Sequence, residues 1–404
     1  MKTISVFTFS TIGVLLVVFL VFAYLGPLPL INATVTLNSL TIQNNQPINW
    51  AQNGSQAIGI TGYGVSNQTG SLIPSPIAST VKVLLALSVL SKKPLAINQQ
   101  GPNIVINQTD LANYNADLAL GESVAKVQPG EIITEYQALQ ALLIASANNF
   151  AQILANWAFG STNNYIAFAN QYAKNIGMNS TTVSDDSGYS TKTTGNALDL
   201  VVLGQKAILN PVIASIVKQY SAIIPVAGMI ANYNTNVDPY INKQIDGIKT
   251  GNTTEGGGNY IFSSKYQGYE IVGSIVGAQN LSTSLSEGPK ILTEYEKQIK
   301  IKSLVAANQV VGYYTFPWGN KISIYSPKNI SLPVEPNVKY SIKLNLYPFK
   351  ISQKNIGEAG YLAITDNHKS NLYPILFRNT YKNPSFWWRI KYNFQRLDHS
   401  ISDL

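Results

Sequence analysis

Hydrophobic and polar positions divide the chain into one long apolar run followed by shorter periodic segments. Ile4 to Leu25 is a stretch of about 22 uncharged, mostly apolar residues, enough to cross ~30 Å of hydrocarbon as a helix. Residues 27–49 carry no such run and predict an extended tether leading into the fold. Ser55 to Val65 alternates and carries glycines, which predicts a first strand. Val81, Leu84, Leu85 and Val89 then fall at helical intervals between Ser79 and Leu90, with Pro74 and Pro76 just upstream, where helices tend to begin. Thr134 to Ser146 predicts another helix, Asn149 to Trp157 continues after a short break, and Asp199 to Leu209 is also helical in pattern. After Ile241 the pattern becomes strands separated by glycine-rich or polar turns, at Ile245–Gly251, Gly258–Tyr266 and Tyr269–Ala278. A body over residues 50–300 therefore reads as strand, helices, then antiparallel strands. Short strands near residues 310, 321, 339 and 360, with Pro and Asn turns, predict a small all-β domain over 301–380, followed by a tail over 381–404. No internal repeat or low-complexity tract interrupts this order.

Charge changes the picture at both ends. Lys2 lies on the short side of the apolar run and should stay cytoplasmic by the positive-inside rule. The stretch Phe22 to Leu30 offers no good A-x-A cleavage pattern, so residues 1–26 read as an uncleaved single-pass anchor, with a cleaved signal peptide as the alternative. Either way the rest of the chain is exported: the body lies on the extracytoplasmic side of the cell membrane, or is secreted after cleavage. Of the net charge of +8, residues from Ser303 onward carry +7, twelve Lys and Arg against five Asp and Glu. Such a field favours anionic headgroups or wall polymers. No nucleic-acid-binding signature accompanies it. In the tail, Phe386, Trp387, Trp388, Tyr392 and Phe394 are interleaved with Arg389, Lys391 and Arg396. That mixture suits an interfacial membrane segment, and equally a segment packing its rings on the β domain.

Composition narrows the chemistry. The chain has no cysteine, which excludes disulfides, thiolate nucleophiles and Cys-ligated zinc. Its only histidines are His368 and His399, so any chemistry in the first 360 residues runs without imidazole and without a Ser-His-Asp triad. Hydrophobic residues make up 45% and charged residues 12%, which gives ample core and argues against disorder.

Lys82 is the first charged side chain after Lys2, and it follows Ser79 in an S-x-x-K spacing that places both on one helix face. A serine hydroxyl is a poor nucleophile until a base takes its proton, and a lysine can do so where burial favours its neutral form. The spacing alone is common, recurring at Ser123–Lys126 and Ser215–Lys218. Ser146-Ala147-Asn148, an S-x-N, falls at the break between two expected helices, although Ser161 starts another. Lys249-Thr250-Gly251 occurs once, on an expected strand, where a Lys-Thr pair can clamp a carboxylate and glycine admits a close backbone.

In this order, with 67 and 103 residues between motif starts, the three motifs resemble those of penicillin-binding proteins and class A β-lactamases. The flanks, from about Trp50 to Ala278, are closer to the low-molecular-mass D-alanyl-D-alanine carboxypeptidases; Asp185 to Ile208 resembles their segment between the last two motifs. The resemblance implies an α+β fold: a β-lactamase/transpeptidase-like domain, an antiparallel sheet with a helical cluster, followed by a small β domain. It implies no cofactor and no metal. Its substrate would be the peptidoglycan stem peptide, with β-lactams as covalent inhibitors. By resemblance Ser79 is the nucleophile and Lys82 its base, Ser146 relays a proton to the leaving D-alanine, and Asn148 holds substrate amide and Lys82. Lys249 and Thr250, with Gly251 beside them, bind the terminal carboxylate, and the N–H groups of Ser79 and Asn252 form the oxyanion hole. Asn252 stands where family members often carry a histidine or aromatic, which bears on substrate preference. Three other readings compete: a D,D-endopeptidase of cross-links, a class A-like β-lactamase, and a catalytically silent wall-binding protein. Class A enzymes deacylate through a glutamate between the last two motifs, and Asn149 to Ile248 contains none.

Overall fold

The computed structural model describes residues 13–14, 16–22, 24–234, 245–349, 357–366 and 369–402, with side chains described as far as 396. Much of the expected apolar span, residues 4–12 with 15 and 23, lies outside them; the described remainder up to residue 25 is helical. Among the described residues no single helix is long and apolar enough to cross a membrane. The chain divides into two compact units, residues 43–300 with 335–338, and residues 1–42 with 301–334 and 339–404.

The first unit is built on a five-stranded antiparallel sheet in the order Asp246–Thr253, Gly257–Tyr266, Tyr269–Ala278, Ser55–Ile60, Asn67–Thr69. Alternating side chains send the two faces of this sheet to different helices. On one face Tyr260 and Phe262 approach Gly288 of helix Leu281–Gln298 closely enough that a Cβ there would sit 3.1–3.2 Å from their rings. On the other, Ile261 and Val272 crowd Gly204 of helix Ala197–Leu209 to 2.7 Å in the same sense. The helical cluster includes helix Lys82–Lys92, in which every residue from Lys82 to Leu90 is buried. A helix apolar all round is expected to sit inside a core. Full burial of Leu84, Leu85 and Val89 contributes roughly 1.5–3 kcal/mol each. Helix Glu135–Leu143 starts where the sequence dictates. Thr134 Oγ1 accepts from Gln137 N–H (3.2 Å) and Gln137 Oε1 from Thr134 N–H (3.0 Å), a reciprocal capping box.

In the second unit a seven-stranded sheet runs Ala33–Val35, Val310–Thr315, Lys321–Tyr325, Ser370–Phe377, Glu358–Thr365, Lys339–Leu346, Leu40–Gln43. Two pieces of the expected tether over 27–49 are therefore strands. Ala33–Val35 pairs antiparallel with Val310–Thr315, and Leu40–Gln43 lies on the opposite edge. The β-branched residues Thr34, Val35, Thr41 and Ile42 suit that role, and pairing satisfies edge N–H and C=O groups that would otherwise stay open. The tail forms helix Phe386–Ser402. Its Trp388 meets Trp318 edge-on at 5.3 Å and stacks on Tyr392 at 5.0 Å, while Trp387 and Phe394 are exposed. Tyr24 lies against Phe386 at 5.4 Å, with the Arg389 guanidinium 5.0 Å from its ring.

Candidate active site

Three chain segments converge on Ser79. The first is its own turn, a 3-10 stretch over Ala78–Val81 that passes directly into helix Lys82–Lys92. Ala78 holds φ 49°, a left-handed conformation that costs a residue with a Cβ free energy and recurs where function requires it. Ser79 is half-buried and Lys82, one turn on, is completely buried. Lys82 Nζ lies 2.6 Å from Ser79 Oγ, 2.6 Å from Asn148 Oδ1 and 3.0 Å from the Ser187 carbonyl. Burial pulls the lysine down from its ordinary value to about 8, against the opposing pull of Asp185, Asp186, Glu122 and Asp117. About one molecule in ten then carries a neutral amine at pH 7, enough for general-base work.

The second segment is the break between helices Glu135–Leu143 and Asn148–Phe159. Ser146 sits there with φ 59°, and Asn148 begins the second helix with its side chain turned to Lys82. The Ser146 hydroxyl makes no hydrogen bond among the described residues. Of the S-x-N pair, only Asn148 joins the Ser79–Lys82 network in this structure.

The third is strand Asp246–Thr253, where a bulge between Gly247 and Lys249 re-aims the side chains. Lys249 is completely buried; its ammonium donates to Asn234 Oδ1 (3.0 Å) and to the Thr250 carbonyl (3.0 Å). Burial, with the repulsion of Lys82 second, holds it well below the ordinary lysine value. Thr250 donates through N–H (2.8 Å) and Oγ1 (2.6 Å) to the same Asn234 oxygen. Gly251 is required by proximity: a Cβ there would lie 2.9 Å from the Ser79 nitrogen and 3.0 Å from the Ile77 oxygen. Asn252 lines the cleft of about 550 Å³ that opens over Ser79, together with Glu122, Asn148 and Tyr189.

Five contributors belong to none of the sequence motifs. Asn234 anchors the Lys-Thr pair and is itself tied to the Leu143 carbonyl (2.8 Å). Glu122 accepts from Asn148 Nδ2. Ser187 and Gly188 form a bend whose glycine, at φ +80°, lies so close to Ala78 that a Cβ would overlap its carbonyl oxygen at 2.0 Å. Asp185 shapes that bend by accepting from Ser187 Oγ (3.1 Å), Ser190 N–H (3.1 Å) and Thr193 Oγ1. Only the bend left a trace in the sequence, through the resemblance of Asp185 to Ile208; Asn234 and Glu122 left none. The rival spacings separate by burial. Lys126 is exposed, Lys218 is half-exposed and pairs with Asp246 (2.8 Å), and Ser161 caps helix Thr162–Ile176.

A buried lysine against a serine hydroxyl, an asparagine holding that lysine and a Lys-Thr strand edging the same cleft form a constellation suited to serine acyl transfer, on a mixed α/β penicillin-binding/transpeptidase fold. The family model for D-alanyl-D-alanine carboxypeptidases, peptidase family S11, matches residues 70–280, just over half of the chain, and the chain belongs to that family. Among curated relatives, D-alanyl-D-alanine carboxypeptidase DacB2 of Mycobacterium tuberculosis is 34% identical over 156 residues, 38% of this chain and 49% of that protein. A D-alanyl-D-alanine endopeptidase of Haemophilus influenzae is 28% identical over 214 residues, 52% of this chain and 69% of that one. The chain spans about half the length of the first curated relatives it matches, 49%, 43% and 61%. Among solved structures, penicillin binding protein 5 from H. influenzae superposes with a TM-score of 0.62 at 14% identity, covering 83% of this chain and 98% of that one. At that identity the likeness is one of fold.

Proposed function

We propose that this chain is a serine-type D-alanyl-D-alanine carboxypeptidase acting on peptidoglycan stem peptides. Lys82 in its neutral form takes the Ser79 proton as Oγ attacks the carbonyl between the two terminal D-alanines. The N–H groups of Ser79 and Asn252 receive the oxyanion, a contribution of about 3–4 kcal/mol per donor in such sites. The C–N bond breaks, the leaving amine takes a proton relayed by Ser146, and water then frees Ser79 from its acyl ester. The observation that carries this reading is Lys82: wholly buried, brought to about 8, and 2.6 Å from the Ser79 hydroxyl at the cleft. Lys249 supports it. Its hydrogen-bond partners among the described residues are a neutral amide and a carbonyl, so a substrate carboxylate would bring the counter-charge they lack. β-Lactams, which mimic the dipeptide, would acylate Ser79.

A D,D-endopeptidase would use the same residues, and the Haemophilus relative favours keeping that reading as the second. Incubation of the protein with labelled penicillin, a pentapeptide ending in D-Ala-D-Ala and a cross-linked dimer separates the two. Ser79-dependent label with D-alanine release is expected. Cleavage of the dimer alone would transfer the assignment to the endopeptidase, and no label would sink both.

For the N-terminal segment and tail the reading is a single-pass anchor with the catalytic unit on the extracytoplasmic face. Its support is the apolar composition of residues 4–25 beside Lys2, and the exposed Trp387 and Phe394 on the helix that carries Arg389. Sedimentation of the full chain with the membrane fraction checks it; recovery of uncleaved chain in the soluble fraction would remove the anchor.

A further inference from the structure

Asn148 can present either end of its amide to Lys82, since oxygen and nitrogen fill nearly the same space. The choice matters chemically. A neutral lysine amine has two N–H donors and one lone pair. With Oδ1 turned inward, Asn148 (2.6 Å) and the Ser187 carbonyl (3.0 Å) accept those two N–H groups, which leaves the lone pair for the Ser79 hydroxyl at 2.6 Å. With the amide reversed, an Nδ2–H would donate into that lone pair and occupy the base. Protonated Lys82 selects Oδ1 unaided, because every hydrogen-bonding position on an ammonium is a donor. Neutral Lys82 does not, and the neutral form is the reactive one.

We propose that Glu122 is a positioning residue that keeps Asn148 in the productive orientation when Lys82 is neutral. The inference rests on the acyl-transfer reading above. A carboxylate has no hydrogen to donate, so its contact with Asn148 Nδ2 disfavours the reversed amide, which would set oxygen against oxygen. The backbone holds Glu122 in place for this. Glu122 N–H donates to the Asp117 carbonyl (3.0 Å), and Asn148 N–H donates to the Ser123 carbonyl (2.7 Å). One residue on, the Asn149 side chain accepts from Ala125 N–H (3.1 Å) and donates to the Ala125 carbonyl (2.8 Å). Residues 122–125 are thus tied to the start of the Asn148 helix by three hydrogen bonds, two of them buried.

Glu122 is also one of four carboxylates that raise the Lys82 value, with Asp185, Asp186 and Asp117, while Lys249 faces it as a like charge. The pH profile separates the two roles. Loss of a charge alone moves the midpoint of the acylation profile to lower pH and leaves its alkaline plateau where it was. Loss of the orientation lowers the plateau, because a share of the neutral molecules then holds the amide reversed. It leaves the acid limb intact, since there the resting state is protonated and already oriented.

The test is the limiting acylation rate at saturating labelled penicillin, followed from pH 6 to 10, for the parent chain, Glu122→Gln and Glu122→Asp. A glutamine can accept or donate, so Glu122→Gln should lower the plateau about threefold or more, the weight of one ordinary hydrogen bond. Glu122→Asp, which still only accepts, should stand above it. An acid limb no lower than the parent's reports that the variant is folded and binds. A Glu122→Gln plateau closer to the parent's than that, or equal losses in both variants, would overturn the proposal and leave the acyl-transfer reading untouched. A parent chain that takes no label would overturn both.

Discussion

Two buried lysines lie on segments that converge on Ser79, and their neighbours treat them differently. Lys82 and Lys249 are both completely buried, and burial lowers both. Around Lys82, four carboxylates work against that desolvation and hold it at about 8, within reach of both protonation states near neutrality. Around Lys249 the charge that bears on it among the described residues is the like charge of Lys82, and its contacts there are the Asn234 amide and a backbone carbonyl. The first environment suits the base of the proposed mechanism; the second suits a seat for an anion. Burial sets how much a charge costs, and the geometry of the neighbouring dipoles and carboxylates decides what the residue can then do.

That contrast can be broken by substitution. Lys82→Ala should lower the acylation rate about 10³-fold, the range of a general base, while the dissociation constant for substrate stays nearly unchanged. Equal loss in rate and binding, measured by pre-steady-state labelling, would remove its role as base. Lys249→Gln should weaken substrates with a free terminal carboxylate by about 10–100-fold, the worth of a charged hydrogen bond, and leave the C-terminally amidated peptide almost unaffected. Were both peptides to lose equally, Lys249 would be a structural residue.

A pH titration sharpens the same comparison on a smaller scale. Between pH 6 and 7 acylation should rise about tenfold, as the neutral fraction of Lys82 grows, and level off above about 8. A profile flat from pH 6 to 8 would mean that the proton goes elsewhere. Stability should follow with the sign of a depressed base. The unfolded lysine binds its proton up to its ordinary value of 10.5 and the folded one only to about 8. Between those values the unfolded state holds more protons, so stability rises with pH across that window. Below about 8 both states are protonated, and the penalty of the buried charge is present in full. In chemical denaturation from pH 7 to 10, the Lys82→Met variant should therefore lack part of the parent's upward slope; identical slopes would place the penalty on other groups.

The smallest effect concerns the two cations compared by stability. Lys249→Met removes a buried charge that no carboxylate among the described residues offsets, and should leave the unfolding midpoint at pH 7 unchanged or raised by about 1 kcal/mol in stability. Lys82→Met strips Asp185, Asp186 and Glu122 of their shared counter-charge and should be the less stable of the two. The reverse order in a urea titration would refute the account of the carboxylates.

Much of the site was legible because its chemistry is written locally. Ser79 and Lys82 share one helical turn, Ser146 and Asn148 flank one helix break, and Lys249 to Gly251 are adjacent on one strand. Local spacing reports local geometry, so these segments could be read from the chain. The helices with strong apolar stripes were legible for the same reason. Helix Leu281–Gln298 was not: it carries Pro289 in its interior and a polar face, and it packs on the sheet through the close approach of Gly288 to Tyr260 and Phe262. The strands Ala33–Val35 and Leu40–Gln43 were hidden in the same way, since a three- or four-residue strand exists only through the partner that accepts its hydrogen bonds.

By itself the sequence determined which residues are candidates for the chemistry and which chemistries are closed: no thiol, no imidazole in the first 360 residues, one serine followed by a lysine at the head of an apolar helix. Tertiary structure alone decided among three identical S-x-x-K spacings, because only at Ser79 does the lysine lose its water. It also recruited Asn234, Glu122, Asp185 and Gly188, which lie 155, 43, 106 and 109 residues from Ser79 along the chain and join the network around Ser79, Lys82 and Lys249 only in the folded chain. A hydroxyl and an amine become a nucleophile and a base when desolvation lowers one pKa and fixed dipoles aim one lone pair. Neither property belongs to a tetrapeptide; both are consequences of what packs around it.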